Sequence, residues 1–304
     1  QRSCQSVTIG TMPSYSAAQK PLVSVVIVNW NRRADVRLAL DFLVKVDYAP
    51  IEVIVVDNGS NDGSIEELSA RPGLIFIGLG RNDGPCVARN AGIKRAAGRY
   101  VFFLDSDALL SKRALSVLVP RMEADPKIGL IGCRIDNYHK RRIDQWIYAQ
   151  PFDRSAHQTF ETYSFSAAGA LARRDVLLQL GGFSEPLRIY NEEVELSIRI
   201  VRAGYKVLYD SAARVLHRPA TDGRAPSRDY WRLMLRNWIW IFFSYYPASS
   251  AWRRALTYSA IYFAKCLMNR HLGAYARGLI EGFWSRRQLD KGPKLSSAQI
   301  AHLD

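Results

Sequence analysis

Two groups of acidic residues define the chemistry open to this chain. Asp105-Ser106-Asp107 follows the apolar run from Tyr100 to Leu104, and Asn191-Glu192-Glu193-Val194-Glu195 comes shortly after Gly181-Gly182-Phe183. An Asp-x-Asp at the end of a buried strand can send one carboxylate to a ribose and the other to a hard divalent cation. Magnesium and manganese prefer such oxygen ligands and keep positions open for diphosphate oxygens. This reading gives Asp107 to the cation and Asp105 to the ribose; the alternative is a loop that caps a helix starting near Ser111. A helix opening on Glu192, Glu193 and Glu195 offers a carboxylate able to take a proton, or else acids that simply suit the helix dipole. Together the two groups suggest metal-dependent transfer from a nucleotide-activated substrate.

Such transfer needs further parts: a loop that reads the base, charges that meet the diphosphate, and a group that deprotonates the acceptor. Asn29-Trp30-Asn31 and Asp57-Asn58-Gly59-Ser60 each close an apolar run. Asp57 can accept a hydrogen bond from a pyrimidine N–H, or can cap its own turn through Asn58-Gly59. Arg81-Asn82-Asp83-Gly84 leads into Ala88-Arg89-Asn90-Ala91-Gly92, a glycine-bearing loop entering a helix with an arginine one turn in. Helix-terminal amides and a guanidinium suit a diphosphate, although the glycines equally suit tight packing.

The elements that must position these residues read as an open α/β sheet. Leu22–Val28 and Ile51–Val56 are continuous β-branched apolar runs, as expected of parallel strands covered on both faces. Strands are also expected at Leu74–Ile77, Tyr100–Leu104, Ile128–Cys133, Ile143–Tyr148, Tyr163–Leu171 and Lys206–Tyr209. Helices are expected at Asp35–Val46, Ser64–Ala70, Val87–Ala97, Val176–Leu180 and Glu192–Ala203. In such a sheet, ligands bind beyond the carboxyl ends of the strands, which is where the polar clusters fall. A turn-rich linker, Arg218 to Pro226, precedes three expected helices at Arg228–Tyr245, Ser249–Asn269 and Leu272–Arg287. The expected division is an N-terminal arm over residues 1–20, a catalytic domain over 21–217 and a helical region over 218–304.

In order and spacing, these motifs resemble the family 2 glycosyltransferases. The resemblance rests on Val23 to Arg32, Val55 to Ser60, Arg89-Asn90-x-Gly92, Phe103 to Asp107, and Gly182-Phe183 before Asn191-Glu192-Glu193. It covers about residues 21–217 and is nearest to bacterial rhamnosyltransferase-type members that build surface polysaccharides. It implies a GT-A fold, Rossmann-like with a mostly parallel open sheet, a nucleoside-diphosphate-sugar donor, a Mn2+ or Mg2+ ion and inversion at the anomeric carbon. It further implies that Trp30 packs on the nucleobase, Asp57 reads it and Arg89 supports the nucleotide, with a UDP- or dTDP-sugar favoured. Asn29 belongs to the same nucleotide side. His217, at an expected strand end, would be a further metal ligand. Relatives carry Glu-Asp-x-Asp where this chain has Glu192-Glu193-Val194-Glu195; by position Glu193 is the base, and the longer side chains leave Glu192 or Glu195 as substitutes on the acceptor side. Tyr163 to Ala170 resembles a small-residue stretch lining the acceptor side, where Gly169 would let the backbone approach a sugar or would serve packing alone.

Composition narrows the partners. The chain has 304 residues, 48% hydrophobic and 23% charged, as expected of a folded protein. Residues 1–217 hold 28 Lys/Arg against 23 Asp/Glu, whereas 218–304 hold 14 against 5, together with five of the seven tryptophans. Basic side chains interleaved with Trp231, Trp238, Trp240, Trp252 and Trp284 suit an anionic membrane surface; the alternative is burial of these rings against the catalytic domain or a partner. The apolar run Trp238–Phe243 is far short of the roughly 20 residues that span a bilayer. Four scattered cysteines without a Cys-x-x-Cys pair read as reduced thiols of a cytosolic protein, and the expected location is the cytoplasm, peripheral on the inner face of the membrane. The acceptor would be a saccharide or a polyprenyl-linked molecule. A catalytically silent nucleotide-sugar- or lipid-binding assembly protein is the competing class; nucleic-acid binding lacks any motif.

Overall fold

The computed structural model describes residues 20–144, 146–219, 228–286, 289 and 292–303. The expected arm and most of the expected linker therefore lie outside the described residues. In chain order the elements are β1 (Val23–Asn29), α1 (Arg33–Leu43), β2 (Ile51–Asp57), α2 (Ser64–Ser69), β3 (Leu74–Gly78), α3 (Pro85–Arg95), β4 (Tyr100–Asp105), β5 (Ala108–Leu110) and α4 (Ala114–Ala124). They continue with β6 (Ile128–Asn137), α5 (Phe152–Ser155), β7 (Thr159–Glu161), β8 (Gly169–Arg173), α6 (Arg174–Gln179), α7 (Glu192–Arg202) and β9 (Lys206–His217). Helices α8 (Arg228–Tyr245), α9 (Ala248–Met268), α10 (Leu272–Trp284) and α11 (Ser297–Leu303) complete the described chain.

The strands form one nine-stranded sheet, ordered β3-β2-β1-β4-β8-β6-β9-β5, with β7 paired to β9. Strands β3, β2, β1 and β4 run parallel, as do β6 and β9, whereas β8, β5 and β7 oppose their neighbours. Successive side chains of a strand face opposite sides, and the core divides accordingly. Val23, Val25 and Ile27 of β1 join Tyr100, Phe102 and Leu104 of β4 in a cluster with α1 and α4. Val26, Val101 and Phe103 face the other way, onto α3, α6 and α7. Both faces being covered explains why these strands read as unbroken apolar runs. Each fully buried phenylalanine here contributes about 1.5–3 kcal/mol by leaving water.

Register aligns the polar ends of the parallel strands. Asn29 lies opposite Asp57 and Val28 opposite Asp105, so three strand ends meet at one rim. The order reverses between β1 and β4, the position at which open sheets bind ligands. Two expected strands are corrected. Ile143–Tyr148 makes only an isolated bridge, Asp136 to Ile143, and Trp146 and Tyr148 instead pack against Tyr209 and Phe160, edge-on in two of the four pairs and tilted in the others. Of Tyr163–Leu171 only the end from Gly169 is strand, because Phe165 turns into the core beneath Gly132.

A third apolar cluster joins Leu187 and Ile198 to the inner faces of α8, α9 and α10. Trp231 and Trp240 are buried there, 6% and 5% exposed, so the burial reading holds for α8. Among the described residues no helix is long and apolar enough to cross a membrane. Cys86, Cys133 and Cys266 are free and buried.

Candidate active site

A cavity of about 840 Å³ opens between the carboxyl rim of the sheet and the C-terminal helices. Its floor carries Asp105 from β4, Asp144, His217 from the end of β9, and Glu193 from the first turn of α7. Tyr230, Met234, Trp238 and Phe242 wall it at four-residue intervals along α8, with Tyr258 beside them on α9; that spacing places them on one helix face. The size suits a ligand larger than one sugar ring.

Helix geometry sorts the three glutamates. Residues three apart share a face, so Glu192 and Glu195 both turn inward, and Glu193 between them turns to the cavity. Glu195 is fully buried: it accepts from Arg199 at 2.7 and 2.8 Å, from Ser184 Oγ at 2.7 Å and from the Tyr245 hydroxyl. Arg199 in turn donates to the carbonyls of Leu180 and Gly182. Glu195 is therefore a fastening of α7 rather than an acceptor-side residue. Glu192, 3% exposed, is likewise drawn away from the acceptor side by Arg89, whose Nη1 donates to its Oε1 at 2.9 Å.

Glu193 is half-buried. Burial raises its pKa, the neighbouring Glu192 charge adds to this, and Arg89 opposes both, leaving it at about 8. A carboxyl so poised is a stronger base, once ionised, than one of ordinary acidity.

Arg89 links the two acidic groups. It is buried, donates to Asp105 Oδ1 at 3.2 Å as well as to Glu192, and lies over the Phe183 ring at 5.3 Å. It does not line the cavity, so any support it gives to a nucleotide passes through Asp105. On the other side, β5 pairs Ala108 with His217 and brings Asp107 to the imidazole: Oδ1 lies 3.5 Å from Nε2. His217 Nδ1 meets Asp144 Oδ2 at 2.7 Å. Burial disfavours the imidazolium, but these two carboxylates outweigh it and push the His217 pKa up to about 9. Burial also works against the Asp107 charge, yet His217 and Arg32 hold its carboxyl below the usual range.

The sequence reading missed Asp144, which orients the imidazole and carries no motif of its own; it stands in the stretch misread as a strand. Once the imidazolium gives up its Nε2 proton, the carboxylate oxygen and imidazole nitrogen, backed by a second carboxylate, suit a divalent cation, so cation binding and loss of that proton are coupled. Among the described residues no group of three His, Cys, Asp or Glu side chains is assembled around one point. A cation here would therefore draw most of its ligands from a bound diphosphate and water, as Mg2+ does at phosphate sites.

On the nucleotide side, Trp30 is 46% exposed at the end of β1 and lies outside the cavity. Asp57 is fully buried, and its oxygens accept from Asn29 Nδ2 at 2.8 Å and from the Ser60 amide at 2.7 Å. As it stands, Asp57 caps its turn, and Asn29 is held by Asp57 and Ser60. Gly59 makes that turn possible: its φ is +78°, and a Cβ there would meet the Arg81 backbone at 2.6 Å. At Gly169 a Cβ would lie 2.5 Å from Val215 Cγ2. Its small size therefore serves packing of β8 within the core, and the acceptor-side reading is corrected.

The profile of Glycosyl transferase family 2 matches residues 24–181. The chain belongs to that family. It is 24% identical over 244 residues to the O-antigen biosynthesis protein RfbC of Myxococcus xanthus, a match covering 71% of this chain and 19% of that protein. Among solved structures it is similar to the mannosyltransferase PcManGT from Pyrobaculum calidifontis in complex with GDP-Man and Mn2+. That likeness has a TM-score of 0.59 and 20% identity, and covers 88% of this chain and 76% of the other. It is also similar to S. aureus TarS 1–349 in complex with UDP-GlcNAc, with a TM-score of 0.56 and 17% identity, covering 80% and 72%. The fold is thus that of GT-A proteins. The chain spans about a fifth of the RfbC relative and 38% and 52% of the next curated relatives it matches.

Proposed function

We propose that this chain is a glycosyltransferase that inverts the anomeric centre while moving a sugar from a nucleoside diphosphate to a hydroxyl of a saccharide or polyprenyl-linked acceptor in cell-surface polysaccharide synthesis. One observation carries the reading: Glu193 and Asp105 share the floor of a single cavity, so a base and a donor-side carboxylate face the same bound molecules. Glu193 takes the acceptor proton as the hydroxyl attacks, and the sugar–phosphate bond breaks in the same displacement, without a covalent sugar intermediate. Asp107 and His217 would hold a Mn2+ or Mg2+ ion, which when bound neutralises charge developing on the diphosphate. Trp30, exposed at the rim, is the surface for the base, and Asp105 for the ribose. A UDP-sugar or dTDP-sugar is the favoured donor; the UDP-GlcNAc complex of the TarS structure supports the first. The Glu193→Gln variant should lose about 10²- to 10⁴-fold in transfer rate while still binding donor. Near-normal turnover would remove Glu193 from the role.

The same proposal places the protein in the cytoplasm, on the inner, anionic face of a membrane, through α9 and α10 rather than α8. Leu256, Phe263 and Leu267 of α9 and Ile280 and Trp284 of α10 are 46–92% exposed, with the half-exposed Trp252 stacked between the helices on Phe283. Residues 248–286 hold six Lys/Arg and a single acid, Glu281, which is bound by Arg232. Vesicles containing phosphatidylglycerol should float the wild type, and the double variant Leu256→Glu, Trp284→Glu should stay behind. Equal behaviour of the two proteins would exclude this face.

A further inference from the structure

The base sits on a helix whose entry is built from unfavourable backbone. Arg188, Tyr190 and Asn191 have φ of 65°, 73° and 62°, immediately before Glu192 begins α7. Asparagine adopts such angles comparatively readily, but arginine and tyrosine rarely do, and there they persist only where surrounding contacts hold them. Here Arg188 reaches the Asn82 carbonyl at 3.4 Å and packs on Gly84, and a further set of contacts comes from the C-terminal helices. Asn237 of α8, fully buried, directs its Nδ2 at three carbonyls of this entry: Leu187 at 3.2 Å, Ile189 at 3.0 Å and Tyr190 at 2.7 Å. Its Oδ1 accepts from Arg236 Nε at 2.9 Å and Nη2 at 2.8 Å. The same Nη2 reaches the carbonyls of Pro186 and Leu187. Donors facing carbonyls and an acceptor facing a guanidinium fix the orientation of the amide.

We infer that Asn237, seconded by Arg236, is a positioning residue for catalysis: it clamps residues 187–190 and thereby aims Glu193 into the cavity. The inference rests on the assignment of Glu193 as the base. It goes beyond that assignment, because Asn237 touches no reacting group and lies in a part of the chain beyond the match to the family profile, which ends at residue 181. The groups set around Glu193 are Glu192 on its own helix, Arg89 on α3 and Asp105 on β4, and all three are placed relative to it by how α7 begins. A loosened entry turns Glu193 outward, lowers its rate as a base, and lets water reach it.

The test is steady-state transfer by Asn237→Leu, which removes the donors at similar volume. Expected are a fall in kcat of about 10- to 100-fold, as for misplacement by about an ångström, with donor KM within about twofold of wild type. The acidic limb of the kcat profile should move to lower pH, because Glu193 regains solvent. A purely structural role would not move that limb. Wild-type kcat, an unmoved limb, or loss of donor binding in step with kcat would each overturn the proposal. If Asn237→Leu does not fold, Arg236→Met reads the same clamp from its outer side: a smaller drop in kcat with the same direction of pH shift supports it, and wild-type behaviour overturns it. Glu193→Gln separates the two readings. An active Glu193→Gln enzyme removes the base and the clamp together, whereas an inactive one beside a normal Asn237→Leu enzyme removes only the clamp.

Discussion

The sheet rim and the entry to α7 both present carboxylates to one cavity, yet they are built in opposite ways. At the rim, Asn29, Asp57 and Asp105 stand at strand ends, and their positions follow from the register of adjacent parallel strands. At α7 the acids are sorted by contacts from far along the chain: Tyr245 reaches Glu195 over 50 residues, and Asn237 reaches Leu187 over the same separation. A rim assembled by the sheet is secured by the whole core. An entry assembled by remote side chains depends on a few hydrogen bonds, and single substitutions there should be felt more strongly.

The sharpest way to break this contrast is Glu195→Gln. Removing one partner of the buried Glu195–Arg199 pair leaves an uncompensated buried guanidinium and should cost about 3–5 kcal/mol, read as a lower midpoint in urea. A loss under about 1 kcal/mol would show that α7 is held by packing alone. A smaller effect is expected from Glu192→Gln, which weakens the Arg89 link between rim and entry. Glu192 raises the pKa of Glu193, so its neutralisation should lower that pKa from about 8 and carry the acidic limb of activity to lower pH. The sign has a consequence for stability. With a folded pKa above the unfolded value of about 4.5, ionisation of Glu193 costs the wild type stability as pH rises from about 4.5 through about 8, and Glu192→Gln should narrow that loss. A limb that stays in place would sever the electrostatic link.

Much of the sheet was legible because its strands are covered on both faces, and a continuous run such as Val23 to Val28 has few other readings. Asp105 was legible for the same reason, since the end of an apolar run marks the end of a strand. Strand β5 has only three residues, too few for any period, so the pairing with β9 that joins Asp107 to His217 could not be read from the pattern, and their nearness came only from the resemblance. Ile143 to Tyr148 has the apolar content of a strand, but its aromatics satisfy themselves against Phe160 and Tyr209, outside any ladder. The resemblance put Glu193 first among the three glutamates by position, but the pattern alone could not say which faced inward until the helix phase was set by its neighbours. The aromatic stripe of α8 reads the same whether it faces lipid, core or cavity, and only packing decides. Asn237 leaves no trace in the sequence, because it binds backbone, which has no residue code.

The cavity has two owners. Its floor belongs to strands and to α7, and its far wall to α8 and α9. If the proposed reading holds, substitutions in the wall, at Tyr230, Met234, Trp238 or Tyr258, should alter which molecule fits the cavity more than they alter the carboxylates of its floor. Shape and chemistry at this cavity thus answer to different stretches of the chain, and a change in the helices can remodel the one without touching the register that fixes the other.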